Sequence, residues 1–452
     1  MEVISSYNCK ITNGKDIFKP TIEIYRRAIT YLIEVVNDEY AHYINLTIKE
    51  KVNYTEKLVH MTEDNPCPKY SDFDKLFYKF PSYLRRDAIS QAVGIVSSYR
   101  SNLANYEAER YNAISNGKRF KKKPPKLQLK HYKCPTLFKG NMFERISDNK
   151  VMIKIFHRND WVWFDCNLRQ QDVKYILSRV KTIANVKELS PTLCGSNRKY
   201  YLKFSFKRKV YLPKPKLKEQ VIVSVDLGMN NTAVCSAMNV KGTVLGRLFI
   251  NQPKEKDRER HLLNKVCKAQ YQSGKHAKIK SLWRKINNLN TQIANDTVNK
   301  IISFAIEYSA SCIVFEHLGK MPKFKGKKNK MLRMQKQLWI YRRIQNKVYD
   351  KAHFLGIRVR HVNPRNTSAL AYDGSGKVTR NAKNHSICTF KNGKQYNCDL
   401  SASYNIGARY FINEILQSST EKKRSELEAK VPEVLVRTNC VLSTLISVAK
   451  AL

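Results

Sequence analysis

The sequence predicts an α/β protein, a mixed sheet with packed helices preceded by an N-terminal lobe that is part helical and part β. Three observations predict it. Apolar residues recur at helical spacing in two stretches of the first 115 positions, then at spacing two between about 150 and 210. A proline-rich stretch, "LPKPKLKEQ" at 212–220, reads as an extended linker closing that lobe. Beyond it, three short apolar segments joined by turn residues give way to alternating helix and strand, the order of a helix-covered sheet.

Taken in order, residues 1–10 read as a short strand. Ile22, Tyr25, Ile29, Leu32 and Val36 follow 3-4-3-4 spacing, which predicts an amphipathic helix. Helical character resumes over Ser82–Ser115, and Gly117 closes it. "KRFKKKPPKLQLK" at 118–130 is basic and proline-broken, and fits both a solvated linker and a phosphate-contacting loop. Val151, Ile153 and Ile155, a turn at Asn159-Asp160, then Trp161 and Trp163 predict a hairpin. Leu202, Phe204 and Phe206 alternate with Lys203 and Lys207, a strand with one cationic face.

After the linker come strands at 221–226, 232–238 and 243–250, with turns at 228–231 and at Lys241-Gly242. One long helical stretch, 255–309, carries Leu282, Ile286, Leu289 and Ile293 on one face. A buried strand at 311–316, a helix at 331–354 and a strand at 357–362 follow. A glycine- and asparagine-rich loop leads to a final helix opened by Asp399, and 418–452 is a tail, polar to Lys430 and then apolar. No internal repeat is visible.

Charge narrows the function. Lys+Arg number 83 against 37 Asp+Glu, a formal net charge of +46 spread along the whole chain. That exceeds what solubility requires and points to a large polyanion, nucleic acid. No amphipathic anchor or apolar run long enough for a bilayer is evident, so no membrane partner is expected. Eleven scattered cysteines suit a reducing interior, and "MEVISSYNCK" lacks the apolar core of a signal peptide. The expected location is the cytoplasm of a prokaryote, in association with the nucleoid.

Three carboxylates stand at element ends: Asp226 after a strand, Glu316 after a later strand, Asp399 at a helix start. If the first and fourth strands of the sheet are adjacent and parallel, the first two lie side by side, and a helix on that edge adds the third. Singly, each fits a turn, an ion pair or a cap. Together they repel and call for divalent cations, and oxygen ligands select Mg²⁺ or Mn²⁺. Two such ions about 4 Å apart activate water and stabilise the leaving oxygen of a phosphodiester.

The segments "VDLGMNNTAV", "IVFEHLGK" and "DLSASYNI" resemble the three RuvC motifs of the TnpB family, RNA-guided nucleases related to compact type V CRISPR effectors. The match spans about 220 to 412. The resemblance implies a RuvC/ribonuclease H-like nuclease domain with Asp226, Glu316 and Asp399 as catalytic, Mg²⁺-binding residues. It also implies an N-terminal β-rich wedge module with a helical recognition insert. On that layout, 1–16 is the first wedge strand, 17–118 the recognition domain, 119–211 the wedge module and 212–220 the linker. The nuclease then occupies 221–362 and 399–417, interrupted by a zinc-ribbon-like loop at 363–398 and followed by the tail 418–452.

Two features depart from or extend the pattern. The third motif usually continues with asparagine and two alanines; Ser401, Ala402 and Ser403 stand there, with Asn405 retained. The family's ribbon follows a Thr-Ser, here Thr367-Ser368, but its four ligand positions fall on Ala371, Gly374, Cys388 and Lys391. Alanine, glycine and an ammonium provide no zinc ligand, so no complete zinc site is expected, even with His385 and Cys398 nearby. The segment 321–348 suits a solvated helix, and by analogy with the family a basic lid beside the site, where Phe324, Trp339 or Tyr341 would stack on bases.

The leading expectation is therefore an RNA-guided DNA endonuclease whose partners are a guide RNA and double-stranded target DNA. Its expected nucleic-acid contacts are Lys118, Arg119, Lys121, Lys122, Lys123, Lys323, Lys325, Lys327, Lys328, Arg342, Arg343 and Arg365. A non-cleaving RNA-guided repressor is a rival, opposed by the intact carboxylate trio. A guide-independent resolvase-like nuclease or transposase is another, opposed by the large basic N-terminal half. The sequence leaves monomer and dimer both open. If the charge serves nucleic acid, affinity is steeply salt-dependent. About ten phosphate contacts imply roughly a 10⁵-fold loss between 50 and 200 mM salt, and a titration with a flat response contradicts this reading.

Overall fold

The computed structural model describes all residues except 15, 181–184, 197–198, 230, 275–278, 320–339, 382–383 and 385. The chain divides into two compact units, one of Ile4–Lys209 and one of Met1–Val3 with Val210–Leu452. Among the described residues no helix is long and apolar enough to cross a membrane.

In the first unit, β1 (Glu2–Lys10) leads into α1 (Lys19–Asp38), whose Ile22, Tyr25, Ile29, Leu32 and Val36 are all buried as their spacing predicts. The helices α2 (Ile48–Val59) and α3 (Asp72–Leu76) precede α4 (Ser82–Ser115). Only the first half of α4 buries a face, from Leu84 to Val96, and Gly117 follows its end at φ +63°. Residues 118–135 run without regular structure. The strands β2 (Phe143–Arg145), β3 (Lys150–His157) and β4 (Asp160–Asn167) form one antiparallel sheet. After α5 (Gln170–Val180) come β5 (Val186–Glu188), β6 (Thr192–Ser196) and β7 (Lys199–Lys209), with β7 pairing β1, β5 and β6.

The hairpin turn sits one residue earlier than expected. Arg158 (φ 49°) and Asn159 (φ 62°) turn the chain, and His157 faces Asp160 as the closing pair. Two left-handed residues make the turn type that matches strand twist, so Asp160 starts the strand. Trp161 is buried against Phe80 and Phe156, whereas Trp163, opposite Lys154, is 37% exposed.

The second unit is built on β8 (Val221–Asp226), β9 (Ala233–Asn239), β10 (Val244–Ile250), β11 (Cys312–Glu316) and β12 (Arg358–Val362), in spatial order β10-β9-β8-β11-β12. The first three pair antiparallel as hairpins, while β11 runs parallel to both β8 and β12. This mixed order is that of a ribonuclease H-like sheet, the α/β class the sequence predicts.

Strand residues alternate between two cores. Val223, Val225, Ile313 and Phe315 pack with α7 (Lys280–Glu307) and α8 (Tyr341–Phe354), chiefly through Val298, Ile301, Ile344 and Val348, while α6 (Pro253–Ser273) packs on α7 through Leu262, Leu263 and Val266. Ile222, Met238 and Val314 face α9 (Cys398–Ser418), through Ile406, Phe411 and their neighbours. Gly407 brings α9 close to the sheet, since a Cβ there would stand 3.1 Å from Ser224 Oγ and closer still to Met238. The long helix expected over 255–309 is two helices, because Gly274 (φ 52°) ends α6. Of the helix expected at 331–354, the described part begins at Tyr341.

The small sheet of β13 (Thr379–Arg380), β14 (Ile387–Thr389) and β15 (Gln395–Asn397) stands between β12 and α9. The tail folds into α10 (Glu421–Lys430) and α11 (Leu442–Ala451), and Leu445 and Val448 join the core beneath α9. The Arg409 guanidinium, 3% exposed, fastens this tail. It donates to the carbonyls of Cys440 (3.0 Å) and Thr438 (2.6 Å) on one side, and of Asn363 (2.9 Å) and Arg365 (2.6 Å) on the other.

Removing that hub strands four carbonyl acceptors. Arg409→Met is expected to cost about 3 kcal/mol or more in chemical denaturation, within the range for breaking a buried charged network. A loss under about 1 kcal/mol shows that water replaces the guanidinium without penalty.

Candidate active site

The parallel pairing of β8 and β11 sets the site. Val225 lies beside Phe315 in register, so the next residue of each strand, Asp226 and Glu316, emerges at the same sheet edge. Apart from the buried Ser224, both strands are apolar up to that point and buried on both faces, so each carboxylate is the first charged group as the strand leaves the core. Asp399 arrives in the first turn of α9. The cap of that helix is Asn397, whose side chain accepts from the Leu400 N–H at 2.9 Å, so Asp399 is not needed as a cap.

The three carboxylates are half-buried and within electrostatic reach of one another. Burial, then the charges of Glu316 and Asp399, push the Asp226 carboxyl well above the usual carboxylate range. Burial also raises Glu316, against the opposing pull of a Thr367 hydrogen bond and the Arg409 charge. Among the described residues, no lysine or arginine forms a salt bridge with any of the three. Nor does any group of three His, Cys, Asp or Glu close to metal-ligating geometry there.

Neighbouring polar groups hold the trio. Thr367 Oγ1 donates to Glu316 Oε1, and Asn231 Nδ2 donates to Asp399 Oδ2 at 2.9 Å. Thr367 is itself held by Asn405, which donates to the carbonyls of Thr367 and Leu370, both at 2.9 Å, and accepts from the Leu442 N–H at 3.2 Å. Three cations lie nearby but spend hydrogen bonds on backbone. Arg409 is the hub described above. Arg380, whose charge lowers Asp226, donates to the Ser368 carbonyl at 3.4 Å. Lys256 donates to the Met229 carbonyl at 2.7 Å, and burial brings its pKa down to about 8, opposed by Glu259 and Asp399.

Of these helpers the sequence flagged Thr367 and Asn405 through the motifs. Asn231 stood in the quoted turn without a role, while Lys256, Arg380 and Arg409 carried no signal, being basic residues in a chain full of them.

The expected nucleic-acid contacts fall in several places. Lys118, Arg119, Lys121, Lys122 and Lys123 are exposed on the irregular segment of the first unit, where Lys122 pairs with Glu109. Arg365 is exposed beside the trio's loop. Arg342 is exposed and donates to the Gly319 carbonyl at 3.1 Å. Arg343 ties α8 to α7 through Thr291 Oγ1 (2.9 Å) and Asn287 Oδ1 (3.0 Å). Lys323, Lys325, Lys327 and Lys328 lie outside the described residues, as do Phe324, Trp339 and His385.

The ribbon positions have structural occupations. Ala371, Cys388 and Cys398 are buried with Phe390 in a small core, and Gly374 turns the chain at φ 85°. Lys391 lays its side chain along Gly376.

A family model described as the Aq_aa04 family matches residues 5–157. The TnpB-like protein aq_aa05 of Aquifex aeolicus (strain VF5) is 24% identical over 233 residues, 48% of this chain and 76% of that one. The uncharacterized protein aq_aa04 of the same organism is 28% identical over 107 residues, 21% of this chain and 59% of its own length. Among solved structures, that of the mini-RNA-guided endonuclease CRISPR-Cas_phi3 covers 88% of this chain and 91% of its own, at 11% identity and a TM-score of 0.49. The resemblance to the TnpB family that the three motifs carry is thus met again in a curated TnpB-like relative.

The crowding has a pH signature. A carboxyl raised on folding takes up protons relative to the unfolded chain, so its stabilising contribution is complete below the ordinary carboxylate pKa and fades as pH rises through the folded value. In metal-free buffer, Asp226→Asn is therefore expected to gain in melting temperature over wild type as pH goes from 5 to 8. A difference that stays flat or shrinks over that range contradicts the clustering.

Proposed function

We propose that the protein is an RNA-guided DNA endonuclease in which a guide RNA pairs with the target and one RuvC-like site hydrolyses the phosphodiester. The observation that carries this reading is the carboxylate edge itself: three acids without a salt bridge among the described residues, Asp226 and Glu316 raised, in a chain of net charge +46. A surface evolved only to hold a polyanion gains nothing from gathering negative charge at one point.

The donor set is all oxygen, which fits Mg²⁺ or Mn²⁺, and Asp226, Glu316 and Asp399 are the residues that would hold them. When bound, such cations supply Lewis acidity toward the scissile phosphate and its attacking water. The protein's own groups do the rest. Thr367 fixes the rotamer of Glu316, and Asn231 fixes Asp399. Lys256, with its pKa lowered to about 8, adds a positive charge next to Asp399 for an approaching phosphate. The exposed run Lys118–Lys123 and the basic faces of the first unit serve as the recognition lobe for guide and target. The finger at 363–398 stands without zinc, since a buried alanine and a left-handed glycine occupy two of the ligand positions.

The test measures cleavage and guided binding on one preparation. With Mg²⁺, Asp226→Ala is expected to lose several orders of magnitude in cleavage while RNA-guided DNA binding stays nearly unchanged. Mg²⁺ is also expected to raise the melting temperature of the wild type and not of the variant. Comparable cleavage by Asp226→Ala refutes the site. Guided binding by the wild type with no cleavage in either metal favours a repressor, and cleavage without any RNA favours a resolvase-like enzyme.

A further inference from the structure

A second constellation, independent of the carboxylate site, lies in the first unit. Thr136 pairs with Thr192 as an isolated antiparallel bridge, and the register is fixed by two hydrogen bonds, Leu193 N–H to the Pro135 carbonyl (2.9 Å) and Leu137 N–H to the Pro191 carbonyl (2.8 Å). In an antiparallel pair, partner numbers keep a constant sum, so Cys134 stands opposite Cys194. The bond at 135/193 makes 134/194 a non-hydrogen-bonded pair, where opposing Cα atoms lie about 4.5 Å apart and side chains are closest. That separation falls inside the range a disulfide spans. Both cysteines are free and half-buried, open enough for a small oxidant.

The surroundings activate one of the two sulfurs. Arg26, on α1, reaches Cys134 Sγ with Nη2 at 3.8 Å and is oriented by Nε donating to the Lys133 carbonyl at 2.9 Å. The Cys134 thiol donates to the Tyr132 carbonyl at 3.7 Å and the Cys194 thiol to that of Thr192 at 3.8 Å. The Cys134 thiol is held below the ordinary range, by Cys194 first and then, against burial, by the Arg26 charge, while Cys194 is pushed up. Cys134 is the more acidic sulfur of the pair and Cys194 the less acidic. Among the described residues no group of three His, Cys, Asp or Glu is placed to hold a metal ion, and the guanidinium opposes a cation.

We propose that Cys134 and Cys194 form a peroxide-reactive dithiol that closes to an intramolecular disulfide. The Cys134 thiolate attacks one oxygen of hydrogen peroxide, breaking the O–O bond and releasing hydroxide, which is protonated to water. The resulting sulfenic acid is attacked by the Cys194 sulfur; the S–S bond forms, the S–O bond breaks, and a second water leaves with the Cys194 proton. Two thiols are oxidised by two electrons and one peroxide is reduced to two waters. The disulfide pins the C-terminal end of the basic run 118–133 covalently to β6, where the reduced protein holds it through Arg26, Thr30 and backbone bonds.

The full-length protein, reduced and freed of reductant, is treated with hydrogen peroxide, alkylated, and mapped by peptide mass spectrometry. The expected product links the Cys134 and Cys194 peptides, lacks two of the eleven alkylatable thiols, and reverts with dithiothreitol. In Cys194→Ser, Cys134 is expected to accumulate as a trappable sulfenic acid; in Cys134→Ser, Cys194 stays reduced. A measurement without mutation runs beside these. At pH 7 iodoacetamide should alkylate Cys134 roughly tenfold faster than exposed Cys67, because a lowered pKa fills the thiolate form. Cys134 and Cys194 remaining alkylatable at peroxide levels that oxidise Cys67 overturns the proposal, as does a Cys134 alkylation rate at or below that of Cys67.

Discussion

The parallel pairing of β8 with β11 is the contact on which the second unit depends. It joins two chain segments almost ninety residues apart, buries both on two faces, and ends them at one edge, where Asp226 and Glu316 follow Val225 and Phe315. The alternation of side chains then divides the interior into two cores, one with α7 and α8, the other with α9 and the tail. Because register fixes face, a one-residue slip of either strand would turn its apolar set toward the wrong helices. The carboxylate edge is held in place by the same apolar burial that holds the fold.

Electrostatics at this edge is set by where the cations spend their donors. Arg409, Arg380 and Lys256 lie near Glu316, Asp226 and Asp399 respectively, yet each gives hydrogen bonds to backbone carbonyls. A direct salt bridge would have neutralised each acid and lowered its pKa. The arrangement keeps positive charge close enough to limit repulsion while leaving carboxylate oxygens free of guanidinium forks. For the proposed role of this edge, receiving hard cations and a phosphodiester, that is the useful balance.

The tail and the 363–372 loop belong to this arrangement. Asn405 and Arg409, one helical turn apart on α9, accept or donate to both segments at once. Thr367, the partner of Glu316, lies on the loop so gripped. The last two dozen residues thus support the carboxylate edge through two buried side chains, without approaching it themselves.

Much of this was legible in the sequence. Helical spacing gave the buried face of α1, the expected bounds of α4 were met, alternation gave β7 and the β3–β4 hairpin, and the three acids stood at element ends. Charge alone pointed to a polyanionic partner. What the sequence left undecided was settled by long-range geometry. The hairpin turn moved to Arg158-Asn159 because two left-handed residues suit the strand twist, and the helix at 255–309 broke at Gly274, where φ is positive. Arg343 looked like any other basic residue until α8 packed on α7. The roles of Arg409, Lys256 and the Cys134–Cys194 pair have no local pattern, since each depends on residues far away in the chain. Periodicity is written in neighbours along the chain and can be read there; partnership between distant polar groups exists only once the backbone has closed around them.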